Sequence, residues 1–342
     1  MHPELFRIPF TTLTVKSYGL MMVIGFLVAV YVIRRLSRNI TPDPQMITNA
    51  SLYSLIAGVV GSRVFFVIHH FDLFKNDFPR VFAIWQGGLE LLGGVFGALV
   101  VLILYMRQHK LPVRRYLDIL SIGLMLALAF GRIGCFLNGC CFGKPANLPW
   151  AVRFPYGSHP YISQAESDTA RNRPAPQLQL TDDFFGYFDK DKVWLQELKP
   201  YDQLSPLQKN MVTKGPYRCL PVHPTQLYSS ADAAILALLL YLFWKRARTA
   251  QQGITVARHF TKPGSTFALM FILYAIARFF EEFLRDDNPF EHGWWTIYKG
   301  GTISQNLSIY MFVLGVILML VFQKVRPDTL SGRFSLNNSK KP

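Results

Sequence analysis

Seven apolar runs dominate the chain, each close to the roughly 20 residues that an α-helix needs to cross a hydrocarbon core. They cover approximately 18–33, 47–68, 87–106, 117–136, 227–244, 265–284 and 302–322. The second, fourth and sixth carry charges inside otherwise apolar sequence, among them Arg63, Asp118, Arg132, Arg278 and Glu282. Basic residues gather on one side of the runs. Arg34, Arg35 and Arg38 follow the first; Arg107, Lys110, Arg114 and Arg115 follow the third. Lys245, Arg246, Arg248, Arg258 and Lys262 follow the fifth, and Lys324 and Arg326 the seventh. Short connections on the other side, 71–86 and 285–301, mix basic residues with Asp72, Asp77, Asp286, Asp287 and Glu291. The positive-inside rule then puts the N-terminus outside and the C-terminus in the cytoplasm, as an odd number of spans requires.

The expected fold class is an all-α polytopic membrane protein with seven transmembrane helices. Residues 1–141 would hold helices 1–4 and residues 223–326 helices 5–7. Between them, 142–222 is rich in Pro, Asp, Gln and Tyr and is expected to form an extracytoplasmic head between helices 4 and 5. Residues 327–342 read as a solvated cytoplasmic tail. Composition agrees: 51% of the chain is hydrophobic and only 17% charged, a balance ordinary for a membrane protein and unusual for a soluble one. The net charge of +15 does not point to nucleic acid, because the basic residues punctuate apolar runs and form no single stripe. The first apolar run has no basic segment before it and no small-residue cleavage site after it, so it is expected to be retained as a helix.

The chemistry concentrates at Gly131-Arg-Ile-Gly-Cys-Phe-Leu-Asn-Gly-Cys-Cys-Phe-Gly143. An arginine at a membrane helix centre costs about 2.5–3.5 kcal/mol, so Arg132 should face a partner or a polar cavity. Glycines and Asn138 beside it suggest a cavity shaped for an anion, and in a membrane a lipid phosphate is the obvious small anion. Further features fall near the outer ends of the helices. Tyr18 opens the first helix, as a belt tyrosine or a cavity residue. Arg63 lies between Gly61-Ser62 and Val64-Phe65 and could snorkel or pack. Trp85-Gln-Gly-Gly-Leu-Glu-Leu-Leu-Gly-Gly94 reads as close helix packing, with Glu90 polar enough to line a cavity. His223-Pro-Thr-Gln-Leu-Tyr228 enters the fifth helix and brings His223, Gln226 and Tyr228 to the same side. In Arg278-Phe-Phe-Glu-Glu-Phe-Leu-Arg285, Arg278 and Glu282 are one helical turn apart and can share a face. Gly301-Thr-Ile-Ser-Gln-Asn-Leu-Ser308 opens the seventh helix. Cys135, Cys140 and Cys141 lack the C-x2-C spacing of zinc sites and an accompanying histidine pair. They are expected to pack as buried apolar residues, the alternative being an extracytoplasmic pair that could include Cys219.

In this order the motifs resemble those of the phosphatidylglycerol–prolipoprotein diacylglyceryl transferases of bacterial inner membranes. The resemblance runs from Tyr18 to about Ser308, with the central loop poorly covered. It rests on Tyr-Gly-Leu-Met, Gly-Gly-x4-Gly-Gly, Gly-Arg-Ile-Gly-x-Phe-x-Asn-Gly, His-Pro-Thr-Gln-Leu-Tyr, Arg-Phe-Phe-x-Glu-Phe-x-Arg and Gln-x-Leu-Ser. It implies a seven-helix bundle with an extracytoplasmic head in the inner membrane. It also implies transfer of the diacylglyceryl group of phosphatidylglycerol to the cysteine thiol of a prolipoprotein signal peptide, with release of glycerol phosphate. Arg132 and Arg278 would be the essential pair at the phosphate. Tyr18, Arg63, Asn138, Gly143, His223, Gln226, Tyr228, Glu282 and Arg285 are expected as substrate and framework contacts. The expected partners are phosphatidylglycerol, prolipoprotein signal peptides and the lipid bilayer, with no nucleic acid, cofactor or metal. Four positions depart from the family pattern. Leu92 stands where many members carry a histidine, Cys135 and Cys140 where they often carry asparagine and glutamate, and Ser229 where a glutamate is frequent. A histidine base at the Gly-Gly site is thereby excluded. Arg-assisted ionisation of the thiol, or a group such as His223, Glu90 or Tyr18, would take its place. The rival readings are a non-catalytic lipid or anion transporter, a divergent paralogue with another acceptor, and a scaffold that binds through the outer loop.

Overall fold

The computed structural model describes residues 4–7, 14–40, 43–75, 78–83, 87–88, 90–189, 192–251 and 260–325. Trp85, Gln86, Arg258, Arg326 and the tail from Pro327 lie outside the described residues. Along the chain run strands β1 (Glu4–Arg7) and β2 (Thr14–Lys16), then helices α1 (Ser17–Ser37), α2 (Gln45–His69), α3 (Leu91–Gln108) and α4 (Val113–Asn138). A short helix α5 (His159–Ala165), strands β3 (Phe185–Phe188) and β4 (Trp194–Leu198) and helix α6 (Pro206–Thr213) follow. Helices α7 (Thr225–Gln251), α8 (Ser265–Glu281) and α9 (Ile303–Lys324) complete it. The protein is a multi-pass membrane protein: among the described residues five helices, α1, α2, α4, α7 and α9, are long and apolar enough to cross a bilayer. Helices also form at the third and sixth expected spans, with 18 and 17 residues. The all-α expectation needs correction, because β1 pairs antiparallel with β2 and β3 with β4.

Two compact units emerge, each drawn from three stretches of chain. The first comprises Met1–Leu27, Leu124–Leu239 and Ala268–Ile317; the second comprises Val28–Gly123, Leu240–Phe267 and Leu318–Pro342. In the second unit α2 and α3 pack backbone to backbone. A Cβ on Gly61 would stand 2.5 Å from the Gly93 carbonyl oxygen, and one on Gly93 equally close to the Gly61 oxygen. Small residues permit this approach, so dispersion and Cα–H contacts hold two helices that have no hydrophobic drive to associate in lipid. The second glycine pair of the third-run motif is thus a packing device.

The first pair has another use. Gly87 and Gly88, both at positive φ, offer their carbonyls to Arg63 Nη1 at 2.7 and 3.0 Å. Arg63 Nε and Nη2 donate to Val81 O and Arg80 O, both at 2.8 Å, and its guanidinium lies over the Phe66 and Phe74 rings. Arg63, expected among the substrate contacts, commits these donors to backbone carbonyls and fastens the loop between α2 and α3. Glu90 of the same motif pairs with His69 at 2.8 Å.

Asp118, the acidic residue in the fourth apolar run, is buried in this unit. Its carboxylate accepts hydrogen bonds from Gly264 N (2.8 Å) and Phe267 N (3.0 Å), amide groups at the start of α8 that have no partner within the helix. A carboxylate there also complements the positive end of the helix dipole.

Within the first unit, the segment between α4 and α7 builds its own hydrophobic core. Phe154, Tyr161, Leu178, Phe184, Val212 and Cys219 are among its buried members. Tyr161 Oη donates to Tyr217 O at 2.8 Å, and buried Gln164 accepts from Leu220 N at 2.8 Å, so these two buried side chains have their partners. All four cysteines are free thiols, which removes the pairing considered for Cys219. Burial pushes the Cys219 thiol up to about 11.

Replacing Asp118 with alanine strands two buried amides, and we expect about 1–3 kcal/mol of lost stability, read as a lower unfolding midpoint. Cys219, buried and protonated at neutral pH, should resist maleimide in native membranes and react after denaturation. Rapid native labelling would contradict a packed head.

Candidate active site

All features of this site lie in the first unit. Helix α4 carries Arg132 and, one turn further, Cys135, so both side chains share a face. The helix ends at Asn138. Gly139 and Cys141 then adopt φ values of 81° and 60° and turn the chain sharply. Tyr18, in the first turn of α1, packs on the same part of α4: a Cβ on Gly134 would stand 3.1 Å from its ring. Arg132 and the three cysteines that follow it are within electrostatic reach of the Tyr18 hydroxyl.

The turn after α4 is held by the His223-Pro-Thr-Gln-Leu-Tyr228 motif. Buried Gln226 donates from Nε2 to Cys140 O at 2.7 Å, and Thr225 Oγ1 donates to Cys141 O at 2.8 Å. Gly143 N donates to His223 O (3.2 Å), and His223 N returns a bond to Lys144 O (3.0 Å). On the other side, Lys144 N donates to Leu284 O at 2.8 Å and Asp286 N to Phe142 O at 3.1 Å. Three segments therefore run side by side: 140–144, 223–226 and 284–286. Gly143 sits at their centre, where a Cβ would come within 2.6 Å of His223 Cβ and His223 O. This position tolerates no side chain, which makes Gly143 a framework residue. His223 Nδ1 is 3.4 Å from Tyr228 Oη, which in turn accepts from Trp150 Nε1 at 2.7 Å.

At the end of α8 the arginines of the sixth run are fixed by carboxylates. Arg278 Nη2 contacts Glu282 Oε2 at 2.7 Å and donates to Ser304 Oγ at 2.9 Å. Glu282, 3% exposed, also accepts from Thr302 Oγ1 at 2.9 Å and from the Asn288 side chain. Arg285 meets Asp287 in a two-pronged pair, Nε to Oδ1 at 2.9 Å and Nη2 to Oδ2 at 2.7 Å. Burial alone would weaken the Arg285 guanidinium, yet the paired bonds to Asp287 hold it above the ordinary arginine range. Arg171 and Arg173, from the segment between α4 and α7, pair with Asp286 at 3.3 and 3.0 Å and tie that segment to the stretch that carries Arg285.

Arg132 and Arg278 line one small cavity, together with Ser229, Asp232, Tyr274 and Glu281. Arg132 Nε and Arg278 Nη1 are both buried with no hydrogen-bond partner. Among the described residues no carboxylate forms an ion pair with Arg132, whereas Glu282 neutralises Arg278. Ser229 donates its hydroxyl to Glu281, which occupies that carboxylate. Two guanidinium groups with spare buried donors facing one space are arranged to receive an oxyanion.

The structure thus brings Arg132 and Arg278 to one cavity, sets Tyr18 of α1 within electrostatic reach of Arg132, and leaves Asn138 at the end of α4 beside Cys140. Gln226, Gly143 and Glu282 act through the backbone and the arginines around them. Arg63 belongs to the other unit and its loop. Sequence reasoning missed Asp287, Asn288, Thr302, Ser304 and Glu281, polar residues whose partners become visible only when distant segments meet. The cysteines, expected to pack as buried apolar residues, converge: the sulfurs of Cys135, Cys140 and Cys141 lie within 4.8 Å of one another.

The chain matches the family model described as prolipoprotein diacylglyceryl transferase over residues 3–321. A phosphatidylglycerol–prolipoprotein diacylglyceryl transferase of Bdellovibrio bacteriovorus is 27% identical over 93% of this chain and 92% of its own length. Proteins of the same name from Prochlorococcus marinus (26%, covering 89% and 87%) and Clostridium tetani (26%, covering 92% and 96%) are similar as well. With a match across nearly its whole length, the chain belongs to the prolipoprotein diacylglyceryl transferase family of membrane enzymes.

Proposed function

We propose that this enzyme transfers the diacylglyceryl group of phosphatidylglycerol to the lipobox cysteine thiol of prolipoproteins, forming a thioether and releasing glycerol phosphate. The observation that carries this reading is the single cavity shared by Arg132 and Arg278, each with a buried unpartnered N–H. The sulfur attacks the glycerol carbon bonded to the phosphate oxygen. As the C–O bond breaks, its electron pair settles on that oxygen, and two fixed guanidinium groups stabilise the growing charge more than the ground state. Glu282 and Ser304 keep Arg278 in place while its free Nη1 faces the lipid phosphate. Arg285, held by Asp287, adds positive potential, and Tyr18 and Asn138 flank the headgroup. Gln226, Tyr228, His223 and Gly143 preserve the turn on which the cavity wall rests.

The same proposal places seven spans across the bacterial inner membrane, with the N-terminus and the head outside and the C-terminus in the cytoplasm. That orientation delivers the site to the leaflet where signal peptides emerge after translocation.

Membranes containing the protein, phosphatidylglycerol and a lipobox peptide should yield a diacylglyceryl thioether peptide by mass spectrometry. Intact lipid and peptide with no such product would defeat the reading. Arg132→Ala and Arg278→Ala should each lower turnover by about 10²–10³-fold, the scale of losing one oxyanion donor, with Cys219 still protected from alkylation. Near-normal turnover in either variant would remove the phosphate clamp. Arg132→Lys should rescue only part of the rate, since an ammonium keeps the charge but not the planar fork of donors.

A further inference from the structure

Three thiols converge beside this cavity, and the backbone is shaped to make them do so. Cys135 lies in the last turns of α4. The positive φ of Gly139 and Cys141 folds the chain back on the helix end, and Cys140 Sγ comes 3.8 Å from Cys135 O. For a non-glycine residue such as Cys141, this conformation costs on the order of 1–3 kcal/mol unless the surroundings impose it. Thr225 and Gln226, both fully buried, impose it by holding the carbonyls of Cys141 and Cys140. All three Sγ atoms fall within 4.8 Å of one another. Apolar packing alone explains neither the strained residue nor the convergence.

A zinc-type ion with Zn–S bonds of about 2.3 Å sets tetrahedral sulfur ligands roughly 3.8 Å apart, a spacing reached here by sub-ångström shifts of buried Cys135 and half-buried Cys140 and Cys141. Charge favours the same ligand. Three thiolates around a divalent ion carry one net negative charge, expensive in a membrane protein unless compensated. Arg132 and Arg285 both lie within electrostatic reach of Cys141 and supply that compensation. Among the described residues no histidine or carboxylate completes the group, so a four-coordinate ion would keep one position for an external ligand, as catalytic zinc sites do.

We infer that Cys135, Cys140 and Cys141 form a site for a thiophilic divalent ion of the zinc class, whose open position binds and deprotonates the acceptor thiol. The inference rests on the transferase reading above, and it answers the absence of a histidine at Leu92. When the acceptor thiol binds, its proton passes to water and its sulfur becomes a metal-bound thiolate. A sulfur electron pair then forms the C–S bond to glycerol. The C–O bond to phosphate breaks with its pair on the oxygen facing Arg132 and Arg278. The neutral thioether, a poorer ligand than thiolate, leaves the ion. No oxidant or reductant is needed.

The test uses the full-length protein in lipid nanodiscs, freed of metal with a chelator and titrated with cobalt(II). One equivalent should produce a thiolate charge-transfer band and the visible bands of tetrahedral cobalt, in the wild type and in Cys219→Ser alike. The double variant C135S/C141S should lose both, while Cys219 protection reports that it is folded. A lipobox peptide with cysteine should shift the visible bands, and one with serine should not. Absence of the bands in the wild type, or their survival in C135S/C141S, overturns the site. Thioether formation should fall at least tenfold in the metal-free enzyme and recover with zinc(II). Undiminished turnover without metal overturns the thiol's activation and leaves the transferase reading standing. Cobalt bound at these cysteines with no thioether formed under any condition overturns the transferase reading, and the acceptor role with it.

Discussion

An unanswered guanidinium is the constraint on which the site depends. Arg278 is met by Glu282 and Arg285 by Asp287, but among the described residues Arg132 has no such partner, although it faces the same cavity as Arg278. Removing a charge from water without compensation is costly, so the protein must fix the surrounding frame tightly enough to keep Arg132 in place. The frame is the row of three segments at 140–144, 223–226 and 284–286, whose backbone bonds leave little freedom at the end of α4. In the proposed reaction an anion entering the cavity relieves the imbalance, and the leaving phosphate, as it gains charge, relieves it further. The same imbalance therefore serves both recognition and rate.

Much of this was legible in the residues. Apolar runs located the helices, and the i, i+4 spacing of Arg278 and Glu282 anticipated their ion pair. That Arg132 faces a cavity, which it shares with Arg278, was expected from its place in an apolar run. Other features were hidden for physical reasons. Asp118 looked like a charge to be tolerated, because only folding brings the start of α8 to its carboxylate. Arg63 looked like a substrate contact, because its carbonyl partners come from a loop without distinctive side chains. The cysteines were hidden by a turn: positions 135, 140 and 141 match no linear metal motif, and only the reversal after Asn138 brings their sulfurs together. The two hairpins escaped because short strands give little periodic signal beside long apolar helices.

The departures from the family pattern acquire a common logic. At Ser229, where a glutamate is frequent in relatives resembling this chain, the hydroxyl reaches across to Glu281 on α8, so a carboxylate still lines the cavity from the neighbouring helix. At Leu92 no such replacement is visible: the side chain is apolar and 77% exposed. In the proposed reaction, proton removal from the acceptor thiol is then assisted elsewhere, whereas the proposed phosphate clamp of Arg132 and Arg278 does not involve Leu92. Nucleophile and leaving group are thus served by different parts of the site.

That division decides what the arginines can be asked to do. Two guanidinium groups near a thiol lower its pKa, but the same groups are drawn to the phosphate, and an anion between them screens their field at the sulfur. Stabilising the leaving group and ionising the nucleophile with one pair of charges are therefore partly opposed. A direct bond from the sulfur to the proposed metal ion removes the conflict, because it acts at bonding distance although the cluster as a whole is not positive. Of the three converging thiols, Cys135 lies one helical turn from Arg132 on α4, and the reversal after Asn138 brings Cys140 and Cys141 to it.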